Sequence, residues 1–164
     1  MRRRLEEDFK GKKVLHLFGG LATFGTRMDI DPRTCPHVIA DAWLPPFARD
    51  SFDVVILDPP YIHFNALLKT ALFRAAGWIA REHVVWFTNV WASQSGGLKT
   101  ERAWLVRVGD ACHVRCLQYF RVMSKPETPW RGGVKRGPAV KYNRWLAQPQ
   151  ALPLWTVPKD GASQ

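Results

Sequence analysis

The sequence predicts an α/β fold whose strands form an open sheet. Short, mostly apolar segments in the first part of the chain each run into a glycine, a proline or an aspartate, which is typical of strands followed by turns. The segment Phe52–Leu57 is apolar on both faces after Asp53, as expected of a strand in the buried middle of a parallel sheet. A segment with apolar residues at helical spacing comes after it. This order places functional residues at the carboxyl ends of the strands.

The individual elements follow from local composition. We predict strands over residues 12–18, 26–32, 37–42, 52–57 and 83–91, and a helix capped by Asn65 that runs to about Arg81. Residues 99–108 are compatible with either a helix or a strand, and residues 114–123 predict a long strand or hairpin arm. Six prolines after Ser124 argue against regular structure there. The predicted domains are a core over residues 1–123, which begins with a basic segment over residues 1–12, and an irregular basic extension over residues 124–164.

Size and composition restrict the class of protein. The 164 residues suffice for one domain, and 46% hydrophobic with 23% charged residues is typical of a globular protein. No apolar segment is long enough to span a membrane, and the N-terminus lacks the apolar run of a secretory signal. The cysteines at positions 35, 112 and 116 do not form a disulfide framework. We therefore expect a cytoplasmic protein without a membrane partner.

The segment that contains Cys112 and Cys116 resembles half of a zinc site. A structural zinc ion normally takes four ligands from two such pairs, and the sequence has no second pair. We therefore predict no metal site and interpret the two thiols as packed side chains on one face of a strand.

Positive charge is concentrated at the two ends of the chain. The formal net charge is +10: residues 1–13 hold six basic and three acidic side chains, residues 14–98 hold six and seven, and residues 99–164 hold twelve and four. Such asymmetry attracts polyanions, and the phosphate backbone of nucleic acids is the commonest of these. The alternative is that the charge only keeps the protein in solution.

The tetrapeptide Asp58-Pro59-Pro60-Tyr61 is the strongest candidate for a catalytic motif. It directly follows the buried strand, and its prolines fix the backbone and remove two amide donors, so the motif presents the Asp58 carboxylate and the proline carbonyl oxygens as acceptors. Such acceptors suit a weakly nucleophilic amino group, because they bind its N–H hydrogens and stabilise the positive charge that develops on nitrogen. Tyr61 offers a face on which an extruded base can stack. The alternative is a tight turn with a core aromatic residue.

A motif of this kind after an apolar strand resembles the class I S-adenosylmethionine-dependent methyltransferases that act on amino groups, above all adenine N6 and cytosine N4 of DNA. The resemblance covers residues 13–91 and implies a Rossmann-like fold, S-adenosylmethionine as cofactor and catalytic roles for Asp58, Pro59, Pro60 and Tyr61. It also implies a cofactor site in the glycine-rich loop and after the second and third strands: Phe18, Gly19, Gly20, Asp29 with Asp31 as the alternative, Asp41 and Ala42. Taken singly, each of these residues is also compatible with an ordinary turn.

Two features depart from this family. Only Leu21 to Gly25 separate the glycine-rich loop from the second strand, which is too short for the usual first helix, so we predict a minimal sheet that lacks it. The first strand carries His16 where the family often has an acid that contacts the amino-acid part of the cofactor. These departures leave open a non-catalytic protein of the same fold that binds nucleic acid or an active partner.

The resemblance implies a nucleic-acid target, with adenine N6 of DNA favoured and RNA or cytosine N4 as alternatives. The basic extension is the candidate for target recognition, because its cations alternate with aromatic residues. The predicted nucleic-acid contacts are Arg121, Lys125, Trp130, Arg131, Lys135, Arg136, Lys141 and Arg144. Such a short arm predicts low sequence specificity, or a homodimer or partner subunit that supplies recognition. A tail whose tryptophans pack on the core is the alternative.

Overall fold

A seven-stranded sheet forms the centre of the protein. The computed structural model describes residues 2–59, 66–88, 97–108 and 113–124, and within these ranges the strands are β1 (Val14–Leu17), β2 (Thr26–Asp29), β3 (Val38–Ile39), β4 (Phe52–Leu57), β5 (Ala80–Thr88), β6 (Leu98–Val108) and β7 (His113–Val122). Their spatial order is β3-β2-β1-β4-β5-β7-β6. The first five strands are parallel, whereas β7 runs antiparallel to β5 and to β6. The predicted open α/β sheet is confirmed.

All described residues belong to one compact unit, which extends from Met1 to Arg131. The extension after Ser124 lies outside the described residues, so the predicted domain boundary between residues 123 and 124 stays a prediction. Within the described ranges, no helix has the length and apolar character needed to cross a membrane.

The helix α2 (Ala66–Ile79) connects β4 to β5 and covers one face of the sheet. Its buried side chains Leu72 and Phe73 join a hydrophobic cluster with Val55 and Leu57 of β4. Burying large apolar side chains in this way is the main source of stability in such a layer. The face under α2 is therefore a packed core.

The helix α1 (Arg2–Asp8) covers the opposite face of the sheet. Leu5 and Phe9 are buried in a second cluster with Val54 and Ile56 of β4. Because successive strand residues point to opposite faces, β4 is buried on both, as its apolar sequence predicts. We did not predict α1, although the four-residue spacing of Leu5 and Phe9 is a helical signal.

Several elements differ in length from the prediction. The strand β2 ends at Asp29, because Asp31 caps a short 3₁₀ helix (Pro32–Thr34) by accepting the Arg33 N–H. The strand β3 has only two residues. The helix α2 ends at Ile79 and β5 begins at the next residue. Residues 99–108, which the sequence leaves open, belong to a strand.

Gly77 lies inside α2, where a residue without a side chain weakens a helix. An added Cβ would meet Leu98 Cδ2 at 3.5 Å, an ordinary van der Waals distance. We therefore expect Gly77→Ala to stabilise the protein by about 0.5–1 kcal/mol. Thermal denaturation should show a Tm raised by about 1–4 °C. A lower Tm would show that the helix has no room for the methyl group.

Candidate active site

The pairing of the strands brings the predicted site residues to one edge of the sheet. Leu17 at the end of β1 pairs with Leu57 of β4 on one side and with Met28 of β2 on the other. Met28 in turn pairs with Val38 of β3. The glycine-rich loop, Asp29, Asp41 and Asp58 therefore all follow the carboxyl ends of adjacent parallel strands. From β1 the chain adds β2 and β3 on one side and then crosses back to add β4 on the other side of β1. Open α/β sheets bind ligands at such a reversal of the strand order.

The glycine-rich loop is tightly packed against β2. Gly19 donates its N–H to the Met28 carbonyl oxygen over 2.7 Å, and a Cβ at Gly19 would lie 2.7 Å from Arg27 Cβ and 3.0 Å from Arg27 Cα. Phe18 has a positive φ of 65°, so the chain turns sharply out of β1. Residues 18–25 then reach β2 without forming a helix, as predicted. Only glycine fits the closest approach of this loop to β2.

Asp29 fastens the loop to the end of β2. Its Oδ2 accepts the Gly20 N–H over 3.0 Å, and its Oδ1 accepts the Asp31 N–H over 3.0 Å. Each carboxylate oxygen has a second lone pair, so the group can accept further hydrogen bonds from a ligand. Asp29 therefore holds the glycine-rich loop in place and also lies at the carboxyl ends of the parallel strands, where it can accept a hydrogen bond from a ligand.

Asp31 is engaged elsewhere. Its carboxylate accepts from Arg33 Nη2 over 2.6 Å and from Arg33 Nε over 2.9 Å. This hydrogen-bonded ion pair lowers the pKa of the Asp31 carboxyl. Of the two acids considered from the sequence, Asp29 is the one that also contacts the glycine-rich loop.

Asp41 lies just after β3 beside a buried dipeptide. Its Oδ1 accepts the Trp43 N–H over 2.9 Å, and both Ala42 and Trp43 are buried. Burial raises the pKa of the Asp41 carboxyl. Within the described ranges no side chain or backbone group donates to Oδ2, which leaves this oxygen as an acceptor for a ligand N–H.

The catalytic motif begins at the end of β4. Asp58 is exposed, and Pro59 is buried behind it. Pro60 and Tyr61 lie outside the described residues, so their roles stay predictions. An exposed carboxylate on a backbone fixed by a buried proline is a well-placed acceptor for a substrate donor.

His16 of β1 is buried, with 8% of its surface exposed. Its ring lies edge to face against Phe24 at a centroid distance of 4.8 Å, and its Nε2 has no hydrogen-bond partner in the described part of the chain. Burial lowers the pKa of His16 to about 4, so the ring is neutral at pH 7. His16 is therefore a neutral packing group, unlike the acid that the resemblance leads one to expect in this strand.

This buried histidine predicts acid sensitivity. In the unfolded chain the pKa returns to 6.5, so the unfolded state binds a proton that the folded state excludes until about pH 4. The stability contributed by neutral His16 is complete above pH 6.5 and is lost as the pH falls towards 4, by about 3 kcal/mol in all. Urea denaturation should show a weaker pH dependence for His16→Leu than for wild type over this window. If the free energy of unfolding depended on pH equally in both proteins, the lowered pKa of His16 would be contradicted.

Of the residues predicted to contact nucleic acid, the structure describes only Arg121. It is exposed on β7, with Nη2 3.8 Å from Glu101 Oε1, and it pairs with His83 of β5. His83 lies towards the amino end of β5, so the register does not bring Arg121 to the edge that carries Asp58. The remaining predicted contacts lie outside the described residues: Lys125, Trp130, Arg131, Lys135, Arg136, Lys141 and Arg144.

The described residues contain no group of three or more His, Cys, Asp or Glu side chains that could hold a metal ion. Cys116 is buried in β7 with a free thiol, and burial raises its pKa. Cys112 lies outside the described residues, so the pairing of the two thiols on one strand face stays a prediction.

No protein-family model matches this chain, and no curated protein sequence matches it. Similar solved structures include N-methyltransferase NodS from Bradyrhizobium japonicum WM9, with a TM-score of 0.56 at 13% identity over 75% of this chain and 93% of that chain. The Burkholderia thailandensis 1,6-didemethyltoxoflavin-N1-methyltransferase, solved with S-adenosylhomocysteine, gives 0.56 at 10% identity over 75% and 76%. Magnesium protoporphyrin IX methyltransferase from Synechocystis PCC 6803, solved with S-adenosylmethionine, gives 0.52 at 11% identity over 72% and 73%.

These similarities establish the fold. The chain has a Rossmann-like fold similar to the folds of these solved structures, with a seven-stranded sheet and few helices in its described part. Sites grafted onto this fold differ between proteins, so the activity has to be argued from the residues at the edge.

Proposed function

We propose that this chain is an S-adenosylmethionine-dependent methyltransferase that methylates an exocyclic amino group of a nucleic-acid base, with adenine N6 of DNA as the favoured target. One observation carries the proposal: Asp58 and Pro59 directly follow the central strand β4, whose last residue pairs with the residue before the glycine-rich loop, at the point where the strand order reverses. The similar structures that carry S-adenosylmethionine or its demethylated product support the same cofactor.

The side chains at the edge fit this cofactor. Asp29, beside the glycine-rich loop, offers lone pairs to the ribose hydroxyls. The half-buried Asp41 offers Oδ2 to the adenine amino group. Gly19 keeps the loop close to β2, because a side chain there would displace β2, and the loop stays beside the end of β1 where the amino-acid part of the cofactor would lie. The carboxylates suit a ligand that presents hydroxyl and amino donors.

In this proposal Asp58 acts as a hydrogen-bond acceptor. It accepts an N–H of the target amino group, which localises the nitrogen lone pair and stabilises the positive charge that develops on nitrogen. The cofactor supplies an electrophilic methyl group. Because Pro59 is buried, the backbone next to Asp58 is held in place before the substrate arrives, and positioning contributes much of the rate. The exposed carboxylate then passes the proton of the methylated amine to water.

The proposal is tested by incubating the full chain with methyl-labelled S-adenosylmethionine and separate pools of DNA and RNA. Nucleosides are then identified by mass spectrometry. We expect label on N6-methyl-2′-deoxyadenosine from DNA. Label on a base in RNA or on cytosine N4 would change the target but keep the chemistry, since the motif and the basic ends of the chain suit each of these. Label on no nucleoside from either pool would overturn the proposal.

A second function is favoured by the connection between β1 and β2. Residues 18–25 contain no helix, so the helix N-terminus that often binds anionic or polar cofactor groups is missing there. This supports a non-catalytic protein that binds nucleic acid or an active partner subunit. Tight binding of nucleic acid without methyl transfer, in the experiment above, would favour this alternative.

A further inference from the structure

A groove of about 350 Å³ lies between α1 and the antiparallel strands β6 and β7. Its volume is within the range of pockets that bind small organic groups. The wall is mostly apolar, with a cation at the rim. It is lined by Arg4 and Leu5 of α1, by Trp104, Leu105 and Val106 of β6, and by Leu117 and Tyr119 of β7.

Two aromatic rings and the Arg4 guanidinium line this groove, and a second guanidinium group, that of Arg102, lies next to it on β6. The Arg4 guanidinium lies 5.2 Å from the centre of the Trp104 ring, and Trp104 packs edge to face against Tyr119 at 4.9 Å. Arg102 pairs with Tyr119 across the strands and shares its face of the sheet with Trp104 and Val106, because residues two apart on a strand point the same way. Both arginines are exposed. The period-two spacing Arg-x-Trp-x-Val was a sequence signal that we did not use.

The tyrosine at the base of the groove is held rigidly. Tyr119 donates its O–H to Asp8 Oδ2 over 3.0 Å and stacks on Phe9 at 5.6 Å. The Asp8 carboxylate thus accepts a hydrogen bond from the tyrosine hydroxyl, whereas Arg4, which lines the groove, and Arg102, which precedes Trp104 by two residues on the same face of β6, are exposed. The surface that a ligand meets is apolar and aromatic with positive charge around it.

The register of the sheet places this groove at a defined distance from Asp58. Leu57 pairs with Trp86, Trp86 with Gln118 and Gln118 with Ala103, so three strand spacings separate the end of β4 from the adjoining residue Trp104. At about 4.8 Å for each spacing, the separation is about 14 Å. A strand that keeps the stacked spacing of about 3.4 Å per nucleotide covers that distance in about four nucleotides, and a more extended single strand needs fewer.

We propose that this groove binds the nucleic-acid strand on one side of the target base, with an unpaired base stacked on Trp104 and phosphates contacted by Arg4 and Arg102. The inference rests on the proposed function, because it takes the target base to lie at Asp58. Aromatic faces bind bases of any sequence, and guanidinium groups bind phosphates, so the groove adds affinity without reading sequence. This chemistry agrees with a methyltransferase of low sequence specificity.

Charge reversal on the rim tests the groove. The full chain is titrated against fluorescein-labelled single-stranded DNA, and the Kd is taken from fluorescence anisotropy at several salt concentrations. We expect Arg4→Glu and Arg102→Glu each to raise the Kd about tenfold and to reduce the slope of log K against log salt by about 0.7 per lost phosphate contact. The matched control is Lys99→Glu, which makes the same charge change at an exposed position of β6 outside the groove. We expect Lys99→Glu to raise the Kd by less than about threefold, because Lys99 makes no direct contact with nucleic acid bound in the groove.

Stacking is tested by Trp104→Ala, which should raise the Kd about tenfold. Trp104 also packs on Tyr119, so its variant is used only if its thermal unfolding resembles that of wild type, and the exposed arginine variants decide the question otherwise. Equal Kd values for Arg4→Glu, Arg102→Glu and Lys99→Glu would overturn the proposal. A dimer that these arginine changes dissociate, with DNA binding unchanged, would assign the groove to a second copy of the chain and would also overturn it.

The outcomes separate this inference from the proposed function. DNA binding that depends on Arg4 and Arg102, without methyl transfer to any pool, would refute the function and keep the groove. Methyl transfer with a Kd that is indifferent to these changes would refute the groove and keep the function.

Discussion

Replacement of Asp58 by alanine is expected to reduce methyl transfer by a factor on the order of 10²–10³, the usual cost of removing one group that stabilises developing charge. Asp58 is exposed and directly follows β4, so its truncation opens no cavity in the core. The loss should therefore appear in kcat, while the Kd for S-adenosylmethionine and the Tm change little. Single-turnover transfer to the nucleic acid that wild type methylates best is the measurement.

A conservative variant of Asp58 distinguishes the effect of its negative charge from the effect of its capacity to accept a hydrogen bond. Asp58→Asn keeps an acceptor oxygen but removes the negative charge, so we expect it to retain more activity than Asp58→Ala. Asp53→Asn is the matched control at the opposite end of the same strand, where Asp53 accepts the Lys13 N–H and pairs with Arg81. This control should cost some stability and leave the turnover number unchanged. Full activity in Asp58→Ala would remove Asp58 from the chemistry.

The second large effect is expected at Gly19. A methyl group there would lie 2.7 Å from Arg27 Cβ and 3.0 Å from the β2 backbone, so β2 or the loop has to move. We expect Gly19→Ala to destabilise the protein by about 1–3 kcal/mol, as overpacking does. The displacement would also disturb the contact between Gly20 N–H and Asp29, so the affinity for S-adenosylmethionine should fall at least tenfold.

Another glycine distinguishes lost binding from lost stability. Gly11 has a φ of 79° and open space around its Cα, and it lies before β1 at the opposite edge of the sheet. Gly11→Ala should cost about 1–2 kcal/mol through backbone strain. Its affinity for the cofactor, measured by calorimetry, should remain that of wild type. Equal loss of affinity in both variants would show that general destabilisation explains the effect at Gly19.

Much of the fold could be predicted from the sequence, because its signals are local. The apolar run Phe52–Leu57 predicted a central strand, and the structure pairs it on both sides and buries it on both faces. The short Leu21–Gly25 segment predicted the missing first helix correctly. The hairpin of β6 and β7 was predictable only in part: residues 114–123 indicated a strand or hairpin arm, but residues 99–108 fitted a helix as well as a strand, and pairing with a neighbouring strand is what decides between the two.

The candidate site was predictable to a smaller extent. The order of the acids along the chain indicated which residues meet at the edge, and the strand register places Asp29, Asp41 and Asp58 there. The sequence left Asp29 and Asp31 as alternatives, and the ion pair between Asp31 and Arg33 is what distinguishes them. The burial of His16 and the groove beside Trp104 depend on how α1 and the loop pack; the period-two spacing on β6 indicated only that Arg102, Trp104 and Val106 share a face.

Calorimetric titration of the full chain with S-adenosylmethionine tests most directly whether this edge is a working cofactor site despite the missing helix. We expect one saturable binding event per chain, because Asp29, Asp41 and the glycine-rich loop are already positioned by the pairing of β1, β2 and β3. The absence of saturable binding, both alone and with nucleic acid present, would contradict the proposed methyltransferase activity.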